Sequence, residues 1–364
     1  MMLRGKLALY LGRQFLQSVA IVLFVLVALT AIIQILEFLR RTADKVDVTF
    51  GVILQLTFLD LPTKTLELLP FVMLFGAMLA FYRLNRSSEL VVARAAGISA
   101  WQFLAPALAV SLVFGIVVVT IINPLAAAMA SRFELVEGQY LRGRASMLKV
   151  TSDGLWMRQA DGDGQIVVHA DRARQQGVDL RDVIFFRFVD LDRFTMRIDA
   201  QRAVLRDGYW EMRDAYVALP NQPIEVYKRF KLPTTLTFLQ IQESFAPPET
   251  LSFWELPAFI QTLQDNGFVA TRQRLYLHSL LATPLLFVAM VFLAAASTLR
   301  LVRRGGNALF LLGGVLSGFL LFFMSDVASA FGVTGDVPIY LAAWAPGLVG
   351  LMAGTWFVFQ LEDG

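Results

Sequence analysis

The sequence predicts an α-helical membrane protein with six transmembrane helices, three on either side of an inserted, jelly-roll-like all-β domain. Three observations predict it. Of 364 residues, 57% are hydrophobic and only 17% are charged, a balance outside that of soluble chains. The apolar residues gather into six runs, each near the roughly 20 residues that a helix rising about 1.5 Å per residue needs to cross the hydrocarbon core. Between the third and fourth runs, residues 138–250 carry 16 Lys and Arg against 15 Asp and Glu, in short alternating segments.

The first run, Phe15 to Phe38, follows Arg4, Lys6 and Arg13 as a signal peptide would. It is too long for one and lacks a small-residue cleavage site, so it reads as a retained helix. The second is Leu66 to Tyr82, extendable back towards Thr57, and the third is Phe103 to Ile122. Leu275 to Leu299, Ala308 to Val327 and Ile339 to Phe359 complete the set. With the N-terminus inside, the short inner loops carry Arg4, Lys6, Arg13, Arg83, Arg86, Arg94, Arg300, Arg303 and Arg304, and the outer ones carry Arg40, Arg41 and Lys45. The positive-inside rule then places both termini in the cytoplasm and the polar block outside.

Within that block, Gln165 to His169, Val183 to Val189, Met196 to Leu205 and Tyr209 to Leu219 are rich in Val, Ile, Phe and Tyr. Asp161-Gly-Asp-Gly164, Gln176-Gly177 and Arg206-Asp-Gly208 separate them as turns. In Met196 to Ala200 the even positions are apolar while Arg197 and Asp199 are charged, which marks a sheet with one dry face. Short antiparallel strands at this spacing suit a sandwich or jelly roll. Past Ala246-Pro-Pro-Glu249, helical spacing of Leu251, Trp254, Phe259 and Leu263 predicts an interfacial amphipathic helix closed by Asn266-Gly267. The domains are thus 1–137, 138–250 and 251–364.

The chain has no cysteine, so it offers no disulfide, thiolate metal site or thiol nucleophile. It lacks a phosphate loop and a zinc helix, and its two histidines, His169 and His278, are far apart in sequence. No catalytic residue, metal site or bound cofactor is therefore expected. Asp161-Gly-Asp-Gly164 is a tight turn, or a calcium loop lacking its later ligands.

Ionisable groups at span ends carry more information. Asp60, Lys64 and Glu67 fall on one helix face, either neutralising one another or facing a polar substrate. Arg40 and Arg41 either anchor the first helix at the interface or turn guanidinium forks to a phosphate or carboxylate. His278, Ser279 and Thr283 precede Pro284 and would satisfy backbone groups freed at a kink. Gly314 and Gly318, and likewise Gly350 and Gly354, allow close helix approach, either as static packing or as movable cavity contacts. The connector from Asn85 to Gly97 has capping serines, Glu89 in its first turn and Gly97 to stop it. It would show Glu89, Val92, Ala93 and Ala96 on one side, either as a simple chain reversal or as a docking helix.

That connector, with Tyr10-Leu-Gly-Arg-Gln-Phe15, Gly154-Leu-Trp-Met157 and Leu251-Ser-Phe-Trp-Glu-Leu256, resembles the LptF/LptG permeases, the LptG branch above all, over essentially the whole chain. The resemblance implies a half-transporter in a Gram-negative inner membrane, with its β-domain in the periplasm. It implies a heterodimer with LptF, two copies of the ATPase LptB that bind ATP and Mg, association with LptC, and lipopolysaccharide passed to a periplasmic bridge. The connector is then the coupling helix, about 86–98, with Arg86, Ser87, Ser88, Glu89, Leu90, Val92, Ala93 and Gly97 as candidate ATPase contacts. Gln34, Arg40, Arg41, Lys64 and Arg132 become candidate lipopolysaccharide contacts, Gln34 departing from a Lys that LptG members can carry. Membrane lipid surrounds such a protein, and nucleic acid has no place in it. The rival from composition alone is a tethered β-domain acting as an envelope scaffold.

Overall fold

The structure, a computed structural model, describes residues 2–43, 48–142, 147–151, 154–161, 164–174, 179–189, 193–220, 222–234, 247–265, 269–299 and 307–363. Two compact units emerge: Met1–Phe133 with Leu251–Trp254 and Arg274–Gly364, and Glu134–Thr250 with Glu255–Gln273. Lys45, Gly162, Asp163, Gln176, Gly177, Ala246, Asn266, Gly267, Arg300, Arg303 and Arg304 lie outside the described residues, as do the side chains of Arg4, Leu90 and Arg94.

The helices are α1 (Met2–Thr42), α2 (Phe50–Arg86), α3 (Glu89–Ala95), α4 (Ala100–Val117), α5 (Asn123–Glu137), α6 (Leu256–Asp265), α7 (Thr271–Thr298), α8 (Asn307–Thr334) and α9 (Ile339–Asp363). Among the described residues, six segments are long and apolar enough to cross a membrane: Lys6–Thr42, Phe50–Arg86, Ala100–Leu141, Thr271–Thr298, Leu309–Thr334 and Ile339–Gln360. Each expected span is present, and most extend beyond their apolar run because polar turns continue the helical hydrogen bonding. The third is interrupted by one π-helical segment, Val118–Ile122, before α5.

In the helical unit α2 and α7 are central. Val72, Met73, Leu74 and Ala77 of α2 are fully buried in the same core as Phe287, Met290, Val291 and Ala294 of α7. By contrast α1 and α8 expose Phe24, Ile32, Leu36, Leu316, Phe319 and Leu320. Such apolar surface is stable against lipid or another helix. Small residues set the closest approaches. A Cβ on Gly76 would lie 2.8 Å from the Val19 backbone, and one on Gly115 would lie 2.6 Å from Pro284 Cα. The four glycines expected to allow close packing do so. Gly314 abuts Ser297, Gly318 abuts Leu74, Gly350 abuts Leu321 and Ala289, and Gly354 abuts Phe292.

Among its described residues, the second unit holds seven antiparallel strands: β1 (Met147–Thr151), β2 (Gly154–Asp161), β3 (Gly164–Arg174), β4 (Asp179–Val189), β5 (Arg193–Arg206), β6 (Tyr209–Ala218) and β7 (Glu225–Pro233). They pair in simple sequence order, an up-and-down sheet. The hairpin joining β5 to β6 turns on Asp207-Gly208, where Gly208 has φ +83°. One face is dry, as the alternation of β5 foretold. Ile198 and Ala200 are buried, together with Leu155, Met157, Ile166, Val168, Phe185 and Trp210. The sheet curls round this core until Thr234, just past β7, donates from its Oγ1 to Gln159 Oε1 on β2 at 2.8 Å.

The inward phase slips once per strand. Buried positions are Leu180 then Val183 on β4, Ala200 then Ala203 on β5, and Met212 then Ala215 on β6, three residues apart where an unbroken strand would keep two. The slip falls at the same level on each strand, and Asp182 and Asp214 both take φ +50° there. The strands stay in constant register across it, so the change of phase is shared by paired strands, and the sheet's register shift lies instead between Arg187 and Phe188. Against the sheet-bearing unit's own interior, α6 buries Leu256, Ile260 and Leu263. This corrects the expected face, because residues 251–255 are not helical and Trp254 is exposed.

Candidate functional site

Two places in the helical unit collect the candidate residues. The first is the connector between α2 and α4. Helix α2 ends at Arg86, and Ser88 takes φ +59°, so the chain turns sharply before α3 begins at Glu89. Gly97, at φ +78°, ends α3, and the Ile98 N–H returns to the Ala93 carbonyl at 3.0 Å. That pairing is a Schellman stop, which needs a left-handed residue where Gly97 stands. The helix is seven residues long, shorter than the expected 86–98.

Glu89 is half-buried and doubly held: it accepts from Ser87 Oγ at 2.9 Å and from Tyr10 OH of α1 at 3.2 Å. The expected face divides in two. Ala93 is buried in the bundle core, whereas Val91, Val92, Ala95 and Ala96 are exposed. Arg86, Ser87, Ser88 and Gly97 are exposed beside them. The outward surface is thus small, apolar and fringed by polar groups, with the carboxylate tied to α1. Tyr10 lies 79 residues from Glu89, and in the sequence it stands out only as part of the Tyr10-Leu-Gly-Arg-Gln-Phe15 motif.

The second place is where α1 ends beside α2. Arg40 and Arg41 both bind Glu37, at 2.9 Å and 2.7 Å, so one carboxylate aligns two guanidiniums on one helical turn. Glu37 was missed, although its i, i+3 and i, i+4 spacing to the arginines could have revealed it. Buried Gln34 donates to Asp60 Oδ2 at 3.0 Å, and among the described residues its Oε1 has no donor. Lys64 pairs with Glu67 at 2.9 Å. The expected stripe of Asp60, Lys64 and Glu67 is therefore divided between a link to α1 and a pair within α2. Asp326 of α8 lies within Coulombic range of Glu67, a second acid that the sequence reading overlooked. Arg132 is exposed on α5, next to Phe133, whose ring lies 6.0 Å from that of Phe38. All five candidate contacts thus lie on α1, α2 and α5, four of them at the end of α1 or on the facing part of α2.

A third feature joins the Leu-Ser-Phe-Trp segment to the third span. Within the π-helical turn, the Thr120 carbonyl accepts from Trp254 Nε1 at 3.1 Å. Asn123, fully buried, accepts from the Phe253 N–H at 2.8 Å and donates to Tyr276 OH at 3.1 Å. Around Pro284 the carbonyl that loses its helical donor is that of Leu280, and Thr283 and His278 find their partners elsewhere. Thr283 Oγ1 donates to the Ser279 carbonyl, and His278 lies edge-on to Tyr340, with centroids 4.6 Å apart.

The profile of a family described as the lipopolysaccharide export system permease LptF/LptG matches residues 9–359. The chain belongs to the LptF/LptG permease family. Lipopolysaccharide export system permease protein LptG of Escherichia coli strain K12 is 22% identical over 98% of both chains. The protein of the same name from Haemophilus influenzae is 23% identical over 97% of this chain and 98% of its own. The match spans both units and so covers the α3 connector, the α1–α2 polar end and the seven-stranded sheet. Multiple apolar spans and these relatives make the chain a multi-pass inner-membrane protein of permease type.

Proposed function

We propose that this chain is a permease subunit that draws lipopolysaccharide from the inner membrane and passes it to a periplasmic bridge, driven by a separate ATPase that docks on α3. The observation that carries the reading is the family match across residues 9–359, taken with an α3 helix fixed at three points and apolar on its outer side. In this reading both termini and α3 are cytoplasmic, the β-domain is periplasmic, and the nucleotide and Mg are bound by LptB.

Mechanically, a short helix that fits a partner's groove can transmit motion only if it does not roll on its own base. Ala93 seated in the core, the Schellman stop and the Tyr10–Glu89 bond oppose rolling, so force on Val92 and Ala96 passes into α1, α2 and α4. The exposed apolar flank of α1 then faces LptF or the acyl chains of the cargo. At the far end of α1, Glu37 holds two guanidiniums on one helical turn. A phosphate of the lipid head group, carrying more charge and more acceptors than a carboxylate, exchanges with it.

Co-purification with LptF and LptB tests the reading. The intact assembly hydrolyses ATP and retains lipopolysaccharide, and Glu89→Lys or Val92→Asp reduces ATPase retention while insertion is unchanged. A photocrosslinker at Arg40 or Arg41 captures lipopolysaccharide. Full ATPase retention and export by both α3 variants would remove the coupling role, and adducts elsewhere but none on this turn would remove the arginines.

A further inference from the structure

Strands β3 to β7 place five arginines in one continuous cross-strand row. Arg172 is opposite Arg181, Arg181 opposite Arg202, Arg202 opposite Arg213, and Arg213 opposite Arg229. The adjacent row of Leu180, Ala203 and Met212 is fully buried, so the arginine row lies on the outer face. Arg172, Arg181, Arg213 and Arg229 are exposed. Strands stand about 4.8 Å apart, which makes the row about 19 Å long.

Like charges directly opposite each other on neighbouring strands destabilise a sheet. Here the arrangement repeats across five strands, and it has little internal relief. Asp171, Asp182 and Asp214 neighbour the row in sequence, yet among the described residues no ion pair joins them to Arg172, Arg181, Arg213 or Arg229. The exception within the row is instructive. Arg202 holds Asp179 through two parallel bonds, Nε and Nη2 each at 2.8 Å from a carboxylate oxygen. A carboxylate is therefore a ligand whose geometry this row accepts.

We infer that the arginine row is a docking surface for an acidic segment of a protein partner, with carboxylates spaced about one helical turn apart. The helical pitch of about 5.4 Å is close to the spacing between strands, so a helix laid across them meets one guanidinium per turn with one Asp or Glu. Arginine in place of lysine at all five positions suits this, because the planar fork binds a carboxylate at two points and loses little freedom in doing so. The row belongs to the sheet-bearing unit, whereas the α3 connector and the end of α1 belong to the helical one, and the inference does not depend on the cargo assigned above.

The test uses the full chain in detergent and a labelled helical peptide with Glu at every turn along one face. Two competitors accompany it: a peptide of the same composition with its Glu residues spread round the helix, and linear polyphosphate of equal charge. The striped peptide binds at low salt, weakens steeply as salt rises, and binds at least tenfold more weakly to the Arg181→Gln, Arg213→Gln double variant. The scattered peptide binds more weakly than the striped one to the native chain. The thermal unfolding midpoint of the double variant stays level or rises, since like-charge repulsion has been relieved. Equal binding of both peptides, or undiminished binding to the variant, overturns the assignment. Polyphosphate preferred over the striped peptide and lost in the same variant also overturns it, in favour of a phosphate ligand. A fall in the midpoint of the variant overturns it too, because the row would then be a structural element neutralised by its own aspartates.

Discussion

The Tyr10 hydroxyl of α1 donates to Glu89 of α3 across 79 residues of sequence, at 3.2 Å. With Ser87 on its other side, the carboxylate is oriented before any partner arrives. Tyr10→Phe removes one charge-assisted bond at an exposed site, a loss of about 1 kcal/mol, and so a roughly fivefold fall in ATP-driven export. Ser87→Ala adds to this fall, and Glu89→Gln, which keeps the acceptor, costs less than Glu89→Ala. Reconstituted export assays with matched protein levels check the ranking. A Tyr10→Phe chain indistinguishable from native would leave Glu89 positioned by Ser87 alone.

Gly115 and Gly138 make a matched pair for helix packing. A methyl group on Gly115 collides with Pro284 backbone, whereas one on Gly138 meets nothing within 4 Å. Gly115→Ala lowers stability by about 1–3 kcal/mol, the usual range for overpacking, and Gly138→Ala changes it little. Thermal unfolding of the two variants in detergent measures the contrast. Equal midpoints would show that α4 and α7 part easily.

Trp210 is fully buried in the sheet and meets the Phe185 ring edge-on at 5.7 Å. Trp210→Ala removes the largest fully buried side chain and leaves a cavity, at a cost of about 3–5 kcal/mol. Protease sensitivity confined to the strands reads this out, with the helical unit's own cleavage pattern unchanged.

Asn123→Leu keeps the volume of a buried side chain but leaves the Phe253 N–H without its acceptor. The expected cost is about 1–3 kcal/mol, the penalty for an unsatisfied buried donor. Amide exchange at Phe253 accelerates in the variant. Unchanged exchange there would mean that another acceptor or water takes over.

Much of this architecture is legible in the sequence because hydrophobic burial is collective. Long apolar runs announce each span, and the alternation of Met196 to Ala200 announces which face of β5 is dry. The features that escaped are pairwise and depend on register. Glu37 was within reach of local spacing, since a carboxylate three and four residues before two arginines is a helical pattern. Tyr10–Glu89 and Asn123–Phe253 were not, because nothing local fixes which distant residue meets which. The connector itself was found, yet its inward residue was not, because seven residues make too short a helix for periodicity to decide whether Ala93 or Val92 turns to the core. The arginine row was hidden for a related reason: a slip of one residue on any strand would scatter it.

The level phase slips on β4, β5 and β6 restrict how this domain can change over evolutionary time. Deleting a residue there from one strand alone would turn that strand's remaining inward side chains to solvent while its neighbours kept theirs, so a single-strand length change is harmful at once. A lineage can lose or gain the slip only by altering neighbouring strands together. A hairpin borrowed from a relative without it would fit on one side of the slip and be out of phase on the other, so recombination that respects this domain has to exchange these strands as a block.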